Sequence, residues 1–131
     1  MVTATVSLQQ QVYAIETYLM TLTLPGNLFF EGTKYSTQEG DLFSFVQVEP
    51  KTTRYELCTT QEGEVIITTQ AKNKVEVYNQ IDQMTLEYKR VQASTSNGPQ
   101  NIYFKGRNIL TSTYLDDGTY FVRAVYYYQI G

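Results

Sequence analysis

The segment NIYFKGRNILTSTYLDDGTYFVRAVYYYQIG, from Asn101 to Gly131, decides the fold. It divides into three alternating runs, Asn101–Lys105, Asn108–Leu115 and Tyr120–Ile130, broken by Gly106-Arg107 and by Asp116-Asp117-Gly118. Asp-Gly between two such runs predicts a tight hairpin, because the reverse turn takes a positive φ that glycine adopts freely. In the last run Tyr120, Val122, Ala124, Tyr126, Tyr128 and Ile130 share one face, and Phe121, Arg123, Val125, Tyr127 and Gln129 the other. A sheet wetted on one side carries plainly polar residues there. Here both faces are largely apolar or aromatic, which predicts a closed sheet around an interior that includes polar fittings.

Working outward, turn signals recur at Gln38–Asp41, Glu49-Pro50, Gln61–Gly63, Lys72–Lys74 and Ser96–Pro99. The runs between them, Leu42–Val48, Thr53–Thr60, Val65–Gln70, Val75–Asn79 and Met84–Gln92, read as strands, the last of them with a helical alternative. Twelve tyrosines and frequent threonines suit a pleated, half-buried surface. About nine strands in meander order predict an up-and-down antiparallel β-barrel of lipocalin or calycin type, with a strongly curved sandwich as the alternative. Closure also removes sheet edges that long Tyr- and Thr-rich strands would leave open.

One helix is expected near the N-terminus, over about residues 7–22. Ser7 and Gln10 have the spacing of a capping box, and Leu8, Val12, Ile15 and Leu19 recur with helical period. Gln9, Gln10, Gln11 and Glu16 fall on its other faces, and Pro25-Gly26 stops it. At 131 residues the chain reads as a single domain, residues 1–131, with strands from about 28 to 130.

Composition narrows the function. The chain carries 18% charged residues, a net charge of −3 and no basic run beyond Lys89-Arg90, which argues against nucleic acid and anionic membranes as partners. No basic start precedes an apolar stretch and no segment is long and apolar enough to span a bilayer, so a cytoplasmic location is expected. Histidine is absent and Cys58 is the only cysteine. That inventory works against zinc or copper sites and against Cys–His or Ser–His catalysis, so no metal is expected. No Gly-x-Gly phosphate loop occurs.

The two ends of the chain resemble the S-type phycobiliprotein lyases, lipocalin-like barrels with an N-terminal helix. Ile102-Tyr103-Phe104, Asn108-Ile109, Asp117-Gly118, Phe121 and Gln129-Ile130 follow that family's C-terminal pattern, and Gly26-Asn27-Leu28 with Gly32-Thr33 its N-terminal one. The departures are Leu28 for a tryptophan, Gly32 and Leu110 for arginines, and Gln129 for a glutamate. The resemblance implies an open-chain tetrapyrrole (bilin) ligand of phycocyanobilin type, bound without a covalent link to this chain. It also implies a phycobiliprotein subunit as partner and a lyase role that is mainly chaperoning: holding the bilin and presenting it to a partner cysteine. The departures fit a divergent relative with an altered ligand or a non-catalytic partner subunit.

The candidate ligand-binding residues are Arg123, Arg107, Asn108, Tyr103, Tyr114 and Tyr127. A lumenal Arg123 in a dry cavity requires an anion, whether a ligand carboxylate or an internal acid; an outward Arg123 would only lay its stem on apolar surface. Arg107 and Asn108 stand either at a barrel mouth or in a polar turn. The tyrosines offer flat faces and hydroxyls to a pocket, or pair with neighbours on the sheet. Cys58 alternates onto the polar face of its run with Arg54 and Glu56. Two functions therefore stand side by side. One is a binder of an amphipathic ligand. The other is an assembly protein with a filled barrel, whose aromatic outside docks a partner or forms a homodimer or heterodimer.

Overall fold

The computed structural model describes residues 6–38, 40–51, 53–54, 59–95 and 98–130. Cys58 lies outside them. Helix α1 spans Leu8–Met20, and Ser7 caps it as expected, its hydroxyl accepting from the Gln10 N–H at 3.2 Å. Strands β1 (Asn27–Phe30) and β2 (Phe43–Pro50) follow, then the short pair β3 (Thr53–Arg54) and β4 (Thr59–Thr60). Strand β5 (Glu62–Ala71) leads into a second helix, α2 (Lys74–Met84). The chain ends with β6 (Arg90–Thr95), β7 (Gly98–Tyr114) and β8 (Tyr120–Ile130).

The six long strands form one curled sheet, a half-barrel, in the order β1-β2-β5-β8-β7-β6. Meander order holds through β6-β7-β8, but β8 then pairs with β5, and β1 runs parallel to β2. Among the described strands β1 and β6 are the two ends of the sheet.

Several expected elements differ. Val75–Asn79, read as a strand, belongs to α2, where the Asn73 side chain accepts from the Val75 N–H at 2.8 Å and caps the helix. Val77, Gln80, Ile81 and Met84 then form its buried stripe. Of the strand expected over Thr53–Thr60, the ends pair with each other, Thr53 opposite Thr60 and Arg54 opposite Thr59, and residues 55–58 lie outside the described residues. Gly106-Arg107 is not a turn. Phe104 stays opposite Tyr128 and Arg107 opposite Tyr126, so the extra residue is taken up as a bulge within one long strand. The hairpin at Asp116–Gly118 is as expected: Gly118 has φ 87, and Leu115 N–H donates to Thr119 O at 2.7 Å.

Both helices lie on the face that carries the even-numbered residues of β8, called inner below. Helix α1 reaches both β2 and β6, so it bridges the curl, and α2 packs on β5 and β8. Under α1, Ile15 and Leu19 meet Val46, Val65, Ile67 and Ala124 in one apolar cluster; under α2, Val77 and Ile81 meet Ala71, Tyr120 and Val122 in another. The half-barrel thus holds helix side chains where an interior space was expected. Alternation alone does not reveal this, because a helix and a ligand ask the same apolar face of a strand.

The stripe of α1 also departs from expectation. Leu8 is exposed, whereas Gln11 is fully buried with Ala14, Ile15 and Leu19. Gln11 donates from Nε2 to Val6 O at 3.0 Å and accepts at Oε1 from the Tyr128 hydroxyl at 2.8 Å. Two good partners make a buried amide tolerable. Gln80 does the same between α2 and the β1–β2 edge. It accepts from Gly26 N–H at 2.6 Å and donates to Ser44 Oγ at 2.9 Å, while Ser44 and Thr69 hydroxyls meet at 2.7 Å.

Candidate functional site

Besides the end strands β1 and β6, the second half of β7 is a part of the sheet that, among the described strands, has a neighbour on one side only. β6 pairs with β7 only from Gly98 to Tyr103, and Phe104 N–H still reaches Lys89 O at 2.9 Å. From Arg107 to Tyr114 the strand is held by β8 on one side, and every residue in that run is exposed. Ile109 (40%), Leu110 (52%) and Tyr114 (59%) are exposed apolar or aromatic side chains on it. An open ladder with apolar side chains is a template for another strand. A second bulge between Ile109 and Thr111 re-phases the alternation, so that Ser112 and Tyr114 face inward and Thr111 and Thr113 outward.

The start of this rim is anchored electrostatically. Arg107 Nη1 lies 3.2 Å from Glu87 Oε1 and 3.8 Å from Asp82 Oδ1, tying β7 to the turn after α2. That turn contains two residues with left-handed backbone, Thr85 (φ 44) and Tyr88 (φ 63). Behind Arg107 the Tyr126 hydroxyl is fully buried and completes no hydrogen bond among the described residues. Burial, reinforced by Glu87, pushes its pKa up to about 12, with Arg107 pulling weakly the other way.

Towards the other end of the rim three tyrosines gather. The Tyr78 and Tyr120 hydroxyls meet at 2.8 Å, and Tyr114 stands edge-on to Tyr120 with ring centroids 4.8 Å apart. Their shared hydrogen bond raises the pKa of Tyr78 and lowers that of Tyr120, as expected when one phenol donates to the other. Lys74 Nζ sits 5.4 Å from the Tyr120 ring centre. The turn beyond is kept anionic: Asp117 accepts from Thr119 N–H at 2.9 Å, and that backbone bond lowers its pKa.

The structure brings Arg107, Asn108 and Tyr114 onto one rim and scatters the other candidates. Arg123 is on the outer face, exposed, its guanidinium 5.8 Å from the Phe121 ring. That corrects the lumenal alternative: position 123 has odd parity in β8, and the helices cover the even positions. Tyr103 is also outward, under the Arg90 guanidinium at 4.7 Å. Tyr127 is outward and half-exposed, in an open cleft of about 420 Å³ whose charged walls include the Lys51–Glu64 ion pair at 2.8 Å. Tyr126, Tyr127 and Tyr128 do alternate between faces, the first and third buried and the second not. Outer-face aromatics cover one another: Phe29 stacks on Tyr35 at 4.6 Å, beside Phe43 and Phe45.

Sequence reasoning passed over Gln11, Gln80 and Tyr126. The signal for the glutamines was present, since each sits within the apolar stripe of its helix. Tyr126 was assigned to the correct face, but its missing partner depends on the bulge at Phe104–Arg107.

No protein-family model matches the chain, and no curated protein matches it. Among the described residues no helix is long and apolar enough to cross a membrane.

Proposed function

We propose that this chain is a non-catalytic interaction module that docks a partner along the open rim of β7. The observation that carries this reading is the contrast between a sheet face filled by α1 and α2 and an exposed run from Arg107 to Tyr114 that, among the described strands, β8 alone pairs. Main-chain donors and acceptors along the rim supply affinity to an incoming strand; Ile109, Leu110 and Tyr114 supply side-chain contacts. Arg107 and Asn108 then act as contacts at one end of an interface, and Tyr114 as an aromatic anchor at the other.

A photo-crosslinking residue placed at Leu110 or at Arg123 tests this in the cells that make the protein. A discrete protein adduct from position 110 and none from position 123 is expected. Adducts from position 123 alone would move the working surface to the outer face and end this reading.

The bilin reading keeps one observation in its favour. Arg107 is an exposed residue whose guanidinium is partly covered on the inner side, next to a tyrosine hydroxyl with no hydrogen bond among the described residues, and a propionate is a natural third group there. Closure into a full lipocalin-like barrel around such a ligand belongs to the same reading. Phycocyanobilin added to purified protein separates the two. The docking module leaves the visible spectrum unchanged at tens of micromolar, whereas a bilin chaperone gives a saturable red shift.

A further inference from the structure

The outer edge of β6 and the groove beside it form a second docking site, separate from the β7 rim and independent of it. We infer that it takes an extended peptide of another protein, added to the sheet as an extra strand, with two alternate aliphatic residues followed by an acidic one. Among the described strands β6 is the last of the sheet and pairs with β7 alone. Its ladder fixes which main-chain groups point outward. Phe104 N–H donates to Lys89 O at 2.9 Å, in the same register that sets Val91 opposite Ile102. Bonded and non-bonded pairs alternate along an antiparallel ladder, so Val91 and Ala93 bond to β7 while Arg90, Gln92 and Ser94 turn their N–H and C=O groups away from it. Pro99 opposite Ser94 agrees, since proline has no N–H to give.

Between this edge and α1 lies a groove of about 220 Å³, walled by Tyr13, Ala14 and Thr17 of the helix and by residues 91–94 of the strand. Four consecutive strand residues line it, although Val91 and Ala93 are buried on the inner face and Gln92 and Ser94 are exposed. A groove on one face would meet only every second residue, so this one follows the edge. No charged residue lines it, and it is smaller than the roughly 300–1,000 Å³ of small-molecule sites. It suits one or two aliphatic side chains. A strand added antiparallel to β6 places its inward side chains opposite Ala93 and then Val91, beside the groove, and its next residue opposite Arg90. Main-chain bonds then supply affinity and the groove supplies selectivity. The acidic residue follows from charge: Arg90 stacks on the Tyr103 ring at 4.7 Å, and among the described residues neither it nor Lys89 is in an ion pair. An arginine stacked on a ring still offers its N–H fork to a carboxylate.

Panning a random seven-residue peptide library on the purified full chain, then measuring fluorescence polarisation of the enriched peptide, tests the site. Peptides reading aliphatic, any, aliphatic, acidic should be enriched. Gln92→Pro removes an N–H that β7 does not use, so circular dichroism should match the parent while the enriched peptide binds roughly tenfold more weakly or worse. Thr17→Trp, at an exposed position of α1, should fill the groove and give a similar loss. Arg90→Glu should change the enriched last residue from acidic to basic. No enriched pattern, or peptides that bind Gln92→Pro and Thr17→Trp as tightly as the parent, overturns the inference. Peptides that both variants retain and Leu110→Lys loses belong to the rim of β7; they would end this site and leave the docking reading standing. Peptides lost on Gln92→Pro, with no cellular adduct from position 110, would do the reverse.

Discussion

Strands β7 and β8 lie side by side, yet they meet different fates. β8 is flanked by β5 and β7 for nearly its whole length, and its even-numbered side chains end beneath two helices. β7 outruns β6 after Tyr103, and among the described residues its last eight are paired on one side only and all exposed. β7 is the more polar strand, with Lys105, Arg107, Asn108, Thr111, Ser112 and Thr113 in its second half, where β8 has only Arg123 and Gln129 among apolar and aromatic residues. The number of neighbours that reach each strand differs in the same sense, and together the two differences divide the molecule into a part that holds the fold and an exposed rim.

The sharpest way to break that division is to remove the same side chain from each part. Leu19 has no exposure, and Leu19→Ala should destabilise the protein by about 2–5 kcal/mol in denaturant titration. Leu110→Ala, read at concentrations below any association, should stay within about 0.5 kcal/mol of the parent. Comparable losses at both positions would mean that the rim is part of the core.

Two neighbouring tyrosines refine it. Tyr128 donates to Gln11, so Tyr128→Phe removes a buried hydrogen bond and should be destabilising by about 1–3 kcal/mol. Tyr126→Phe removes a buried hydroxyl that has no partner, and should be neutral or stabilising. A large loss from Tyr126→Phe would show that Arg107 and Tyr126 form a true hydrogen bond.

The same residue predicts an alkaline limit. Tyr126 titrates near 12 when folded against an ordinary 10.0, because burial disfavours the phenolate. Above pH 10 the unfolded chain gives up this proton while the folded chain keeps it, so stability falls as pH rises and levels off above about 12. Tyr128 is shifted in the same direction, also by burial. For Tyr126 alone the loss is at most about 3 kcal/mol, and thermal melts of Tyr126→Phe between pH 10 and 12 should slope less than those of the parent.

A smaller effect is expected in the turn that carries Glu87. Thr85 is β-branched at φ 44, so Thr85→Gly should relieve backbone strain and stabilise by about 1 kcal/mol. A loss there would mean that the threonine side chain contributes more than its conformation costs.

Much of this architecture was legible beforehand. The N-cap at Ser7, the hairpin at Asp117-Gly118 and the alternation of β8 depend on local chemistry, which a sequence states directly. α2 was missed because Val75, Val77 and Tyr78 have strand-like propensity, while the cap at Asn73 and the spacing of Val77, Ile81 and Met84 say helix. Tertiary packing on Ala71 and Val122 favours the helix. The interior was misjudged because an apolar strand face does not say whether a ligand or a helix covers it. Arg107, Asn108 and Tyr114 were picked for a barrel mouth and stand on a free edge, since the extent of β6 relative to β7 is written in no single residue.

Amide hydrogen exchange on dilute protein tests the division most directly. Fragments covering Asn108–Tyr114 should exchange orders of magnitude faster than fragments covering Val122–Tyr128, although the two strands are hydrogen-bonded to each other. Equal protection of both in dilute protein would contradict the account, because the rim of β7 would then already be covered by its own chain.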